Sequence, residues 1–167
     1  TPTGGPSRLD FKLFGDSPVE RHNTVVLDAV LNHSWLHLGS DQRNTAVYIQ
    51  DQYVADLHNA MGGHSPHGIY VHMYINGLYW GLYYTHERPD HTWAAEIFGG
   101  GKDEYDAIKH SSGGVINSGT GGSATANYNA MLAAANAVAA DPDDPAKYDA
   151  LCEWLDVDDF ITYLLAN

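Results

Sequence analysis

The chain is short of cations, of cysteine and of long apolar runs. Lys and Arg together number 8 in 167 residues, against 21 Asp and Glu, for a formal charge of -13. Such an excess repels phosphate backbones and anionic lipid, so neither nucleic acid nor a membrane surface is an expected partner. A basic partner suits the field better, although acidity spread over loops also serves simply to keep a secreted or bacterial protein soluble. A single cysteine, Cys152, excludes an internal disulfide, so packing and hydrogen bonds must hold the fold. No apolar run approaches the roughly 18 residues of a membrane-spanning helix. The opening Thr1-Pro-Thr-Gly-Gly-Pro6 has neither the charged nor the apolar region of an export signal. Beginning without Met, the chain is expected to be processed or cut from a longer product.

Phosphate-cradling loops are also missing. Gly99-Gly100-Gly101 precedes Lys102 but follows a helical stretch and lacks the spacing and hydroxyl of a P-loop, so it reads as a helix stop. Ten histidines include the close pairs His64/His67, His33/His37 and His86/His91, none with a third ligand at a metal-site spacing, and no metal site is assigned. Gly63-His64-Ser65-Pro66-His67-Gly68 resembles the turn that presents a hydrolase serine. However, His67 stands where that turn needs glycine, and the segment leads from a helix into a strand, the reverse order. A small serine hydrolase around Ser65 and a nearby His is therefore a third reading of function. Trp35, Trp80, Trp93 and Trp154 fall on separate elements and define no platform for stacking sugars.

What is present suffices for one domain with a core: 44% of residues are apolar. Residues 1–8 are turn-formers and read as a flexible lead-in. Leu9, Phe11 and Leu13 alternate with polar residues and predict a short strand that ends at Gly15-Asp16-Ser17-Pro18; a second strand is expected over 23–31. Gly39-Ser40-Asp41 supplies a helix start and Gly62-Gly63 a stop. Between them Ala46, Val47, Tyr53, Val54, Leu57, Ala60 and Met61 recur at helical spacing, which predicts one helix with that face buried.

The most regular stretch follows. Asn76-Gly77 tolerates the positive φ of a type I′ turn, so residues 68–87 form a hairpin about it. With a two-residue loop, Met73 pairs with Trp80, Val71 with Leu82 and Ile69 with Tyr84, one oily face that is core and packs on the preceding helix. The other face sets Tyr74 opposite Tyr79, His72 opposite Gly81 and Tyr70 opposite Tyr83, leading to Glu87. A short helix (92–98), a strand-like 105–109 and a mobile loop (111–122) come next. Helices are then expected over 124–140, 146–154 and from 156 to the end. The order segregates strands from helices, so the fold class is α+β: a small antiparallel sheet with a packed helix, followed by a helical part. One domain is expected over 9–167, sheet-bearing to residue 110, joined by the 111–122 loop to a helical 123–167.

The segment Val71-His72-Met73-Tyr74-Ile75-Asn76-Gly77-Leu78-Tyr79-Trp80-Gly81-Leu82-Tyr83, closed by Glu87-Arg88-Pro89-Asp90, resembles the signature of the CotH kinase family: a strand, Asn-Gly, Tyr-x-Gly-x-Tyr and then Glu-x-x-Asp. Leu13-Phe14-Gly15-Asp16-Ser17, the helix up to Met61-Gly62, Phe98-Gly99-Gly100 with Glu104-Tyr105-Asp106-Ala107, and Leu155-Asp156-Val157-Asp158-Asp159-Phe160 extend the likeness to residues 9–167. The resemblance implies a kinase-like fold, ATP and Mg as cofactors, and serine phosphorylation on a protein substrate. It makes the 43–61 helix the regulatory helix of the small lobe and 87–90 the hinge beside adenine, with Tyr70, His72, Gly81, Tyr83, Glu87 and Asp90 bordering the nucleotide. No catalytic residue can be assigned: the phosphate-binding lysine would precede residue 9, where Arg8 and Lys12 substitute poorly, and the catalytic loop would follow residue 167. The expectation is a partial domain, weak or inactive in phosphotransfer and prone to self-association through exposed core. The alternative is a module that binds a glycan or a protein through the tyrosine face.

Overall fold

The structure is a computed structural model that describes residues 8–30, 34–109, 114–119 and 122–167. The lead-in over 1–7, the end of the expected second strand at Leu31, His33, and 111–113 and 120–121 at the two ends of the 111–122 loop lie outside the described residues. The chain forms two compact units, Thr1–Arg88 and Pro89–Asn167.

In the first unit β1 (Leu9–Asp10) pairs antiparallel with β2 (Arg21–His22). The expected first strand is thus cut to two residues, because the chain turns back early: Phe11 N–H donates to Glu20 C=O, and Ser17 N–H to Phe14 C=O. Phe14, Ser17 and Val19 of this turn are buried. The second expected strand also shortens, to β3 (Val25–Asp28). It joins β4 (Gly68–Ile75) and β5 (Leu78–Glu87) in an antiparallel sheet of order β3-β5-β4.

The single helix expected over 43–61 is two: α1 (Ser40–Asn44) and α2 (Gln50–Ala60). The Thr45 hydroxyl and N–H both fall on Asp41 C=O, closing α1, and the β-branched Thr45, Val47 and Ile49 of the intervening segment are poorer helix formers. The expected apolar face is not the buried one. Val47, Tyr53 and Met61 are exposed, and the buried residues of α2 are Gln52 and His58.

The reason lies in the hairpin. Asn76 (φ 51°) and Gly77 (φ 81°) make the predicted turn, Ile75 faces Leu78 and Tyr74 faces Tyr79, but a bulge then shifts the register. Met73 pairs with Gly81, leaving Trp80 as the extra residue, and Gly81 takes a φ of +132°, open to glycine. Every expected pair beyond the bulge is therefore off by one: Val71 faces Tyr83, His72 faces Leu82, Tyr70 faces Tyr84 and Ile69 faces Thr85. The continuous ring-and-glycine face does not form. Tyr70 and Tyr84 share the face on which α2 packs, and they demand polar rather than apolar partners from the helix.

In the second unit Asp90 opens α3 (His91–Phe98), which Gly99 ends at φ 82°. A 3-10 turn over Lys102–Glu104 follows. The expected 111–122 loop contains a strand: β7 (Val115–Asn117) pairs antiparallel with β6 (Ala107–Ile108). Then come α4 (Ala124–Ala140), α5 (Pro145–Cys152), capped by Asp144, and α6 (Val157–Ala166), capped by Asp156. The protein is α+β, as its order of patterns implies. None of the described helices is long and apolar enough to cross a membrane.

Candidate functional site

Glu87, the last residue of β5, is fully buried. The Ser17 hydroxyl donates to its Oε1, and the His67 N–H donates to its Oε2 at 2.9 Å. The His67 ring brings Nδ1 within 3.4 Å of the same oxygen. Glu87 N–H in turn donates to His67 C=O at 2.9 Å, and Ser17 Oγ accepts Val19 N–H at 3.0 Å. A carboxylate enclosed in protein costs several kcal/mol unless donors meet it. Here the 14–19 turn and the segment before β4 supply them, so Glu87 fastens three parts of the chain together.

The polar chain continues from His67. Its Nε2 lies 3.5 Å from Asn59 Nδ2, and Asn59 clasps the Ser65 backbone from both sides, accepting its N–H at 2.7 Å and donating to its C=O at 3.1 Å. Ser65 Oγ lies 2.7 Å from His58 Nδ1. The serine and a histidine thus do meet. His58 is 2% exposed, however, and a Cβ at Gly63 would collide with its ring. A general base needs a path for its proton and room for substrate, and this ring is wedged beneath backbone. The geometry is that of a helix-end lock.

On the α2 side the Tyr70 and Tyr84 rings stack at 5.1 Å, and Tyr84 stacks on His86 at 4.7 Å. Tyr70 OH donates to Tyr48 C=O at 2.6 Å and Tyr84 OH to Gln52 Oε1 at 2.7 Å. Burial raises both phenol pKa values; Asp51 and Asp28 add to it at Tyr70, and the neighbouring Tyr70, Asp51, Asp56 and Asp28 add to it at Tyr84. Gly68 completes the fit: a Cβ there would stand 2.5 Å from Gln52 Oε1 and 2.6 Å from the Tyr84 ring.

The residues expected to border a nucleotide are therefore distributed. Tyr70 is committed to the Tyr48 carbonyl just before α2, and Glu87 to Ser17 and His67. His72 is exposed, its Nδ1 3.0 Å from Tyr79 OH. Gly81 carries the bulge. Asp90, in the second unit, spends Oδ1 on the N–H groups of Thr92 and Trp93 at 2.9 and 3.0 Å. Tyr83 lines an apolar groove of about 710 Å³ with Trp35, Tyr48, Trp80 and Leu82. The groove is not legible as a motif: Trp35 and Trp80 are 45 positions apart, and only the bulge and the break before α2 bring them to one place.

A second carboxylate organises the start of α4. Asp106 accepts Gly119 N–H at 2.6 Å and Asn127 Nδ2 at 2.8 Å, with the Ser118 and Ser123 hydroxyls at 3.4 and 3.5 Å. The Gly119 amide foremost, then these side chains, hold its carboxyl below the usual range. Among the described residues no three His, Cys, Asp or Glu side chains converge as a metal-binding group.

Residues 30–167 match the family described as CotH kinase protein. The chain belongs to the CotH kinase family. No curated protein and no solved structure matches it. The matched span takes in α1, α2, the whole β4-β5 hairpin and the second unit, and so includes every residue of the Glu-x-x-Asp signature from Glu87 to Asp90.

Proposed function

We propose that this CotH domain is a nucleotide-binding scaffold of the protein-serine-kinase type, in which residues 1–167 hold Mg-ATP weakly and transfer phosphate slowly or not at all. The observation that carries the reading is the family match over 30–167, which covers α2 and the β4-β5 hairpin; β3, just before it, completes a sheet of order β3-β5-β4. In this reading α2 is the regulatory helix, β4 and β5 close the small lobe's sheet, and 87–90 is the hinge.

ATP and Mg supply the transferable phosphoryl group and the charge neutralisation that such chemistry requires. The residues described do not fit that load. Protein kinases place a lysine on the strand before the regulatory helix. The resemblance puts that strand before residue 9; the strand that directly precedes the helices, Val25-Val26-Leu27-Asp28, has no lysine, and the single lysine of the first unit is Lys12. Asp144 and Asp156 cap helices, and Asp90 does the same for α3. What the chain's own residues do is fix the frame: Glu87 ties the end of β5 to Ser17 and His67, and Tyr70 and Tyr84 fix the hairpin to α2.

The test is amide exchange of the intact chain with and without Mg-ATP, run beside a phosphotransfer assay on a serine-bearing protein. Slowed exchange in the 68–87 hairpin with little transfer is the expected result. An unchanged hairpin refutes nucleotide binding, and brisk transfer refutes the weak-activity part.

A further inference from the structure

Two tryptophans remote in sequence meet in the first unit at the apolar groove beside Tyr83. Trp35 is 68% exposed and Trp80 is 58% exposed, while Tyr48 and Tyr83 complete a wall of four rings. Trp35 and Tyr48 meet edge to face at 5.1 Å, which holds the Trp35 ring in a defined pose. The volume of about 710 Å³ lies within the range of small-molecule sites, roughly 300–1,000 Å³. Of its four rings the kinase reading assigns Tyr83 alone to the nucleotide border, and Trp80 sits at the turn end of β5, seven residues from Glu87 at the other end.

Two carboxylates lie close to its lining residues in the chain. Asp28 immediately precedes the lining residue Ala29 and pairs in register with Tyr84. Asp51, in the first turn of α2, and Asp28 both act on the Tyr70 phenol, which is 2.6 Å from the carbonyl of the lining residue Tyr48. The cation nearest in the chain, Arg43, donates to His37 C=O at 3.4 Å. Aromatic faces attract cations through their quadrupoles, and carboxylates beside them add direct attraction. In a chain of charge -13 an anion would meet repulsion here.

We propose that this groove binds a small organic cation, an ammonium carried on an apolar or aromatic body, with Trp35, Trp80, Tyr48 and Tyr83 against the body and head and the Asp28 and Asp51 carboxylates supplying the charge. It is tested by titrating the whole chain with benzyltrimethylammonium and, separately, with its neutral isostere neopentylbenzene, following tryptophan fluorescence at low and high salt. The cation should bind saturably, roughly tenfold tighter than the isostere, and weaken with salt. Trp35→Ala and Trp80→Ala should each lose at least about tenfold, and Asp51→Asn should reduce the preference for the cation while leaving isostere binding unchanged. Trp154→Ala, in the second unit, should change nothing. Equal binding of cation and isostere, binding untouched by Trp35→Ala and Trp80→Ala in folded protein, or binding confined to a lysine-rich peptide with none of the small cation would each overturn the proposal.

Discussion

Tyr70 and Tyr84 face one another across β4 and β5 with ring centroids 5.1 Å apart, and each phenol donates a hydrogen bond on the α2 side of the sheet, to Tyr48 C=O and Gln52 Oε1. This pairing exists because Trp80 is an extra residue in β5. Without it Tyr70 would face Tyr83, and the helix would meet an oily face.

Tyr84 should resist ionisation when the other tyrosines titrate. Its folded pKa is raised, so the stability tied to its neutral phenol is complete below the ordinary tyrosine value, about 10, and is lost as the pH climbs above it. Absorbance titration of the wild type against Tyr84→Phe should show one phenol fewer titrating late, and Tyr84→Phe should cost about 1–2 kcal/mol at neutral pH by orphaning Gln52.

Gly68→Ala should destabilise the first unit by about 1–3 kcal/mol, since the added methyl meets Gln52 and the Tyr84 ring. Gly15→Ala is the comparison: it has open space but a φ of +50°, so its cost should be smaller, about 1 kcal/mol. Thermal unfolding of the two variants measures the difference.

Glu87→Ala should cost about 2–4 kcal/mol, because it strands the Ser17 hydroxyl and the His67 N–H in a buried place. Glu87→Gln keeps an acceptor and should recover a large part of that loss. If both variants unfold at the wild-type denaturant midpoint, Glu87 is not the fastener described.

How much of this can be read from the sequence is set by range. The Asn76-Gly77 turn, the 124–140 helix, the Asp-capped restarts and the Gly99 stop depend on a few adjacent residues, and the structure keeps them. The bulge at Trp80 depends on what α2 must receive from the hairpin, so a strict period of two gives the wrong partners beyond Tyr74. The helix over 43–61 breaks for a related reason. Its apolar spacing is real, but Gln52 and His58 are wanted inside by Tyr84 and Ser65. Glu87 is legible as a signature residue, while its partners Ser17 and His67 lie 70 and 20 positions away and carry no local pattern.

Asp106 should govern the start of α4 at acid pH. Its folded pKa is lowered, so the stabilisation is complete above the unfolded carboxylate value, about 3.9, and is lost as the pH falls through the lower folded value. The Gly119 amide proton should shift upfield over that window by NMR, and the shift should vanish in Asp106→Asn.

The most direct measurement is hydrogen exchange at the 68–87 amides of the intact chain in millimolar Mg-ATP. If the hairpin borders a nucleotide, exchange slows along β4 and β5 and relaxes when ATP is withdrawn. Exchange identical with and without the nucleotide at every one of these amides would contradict it.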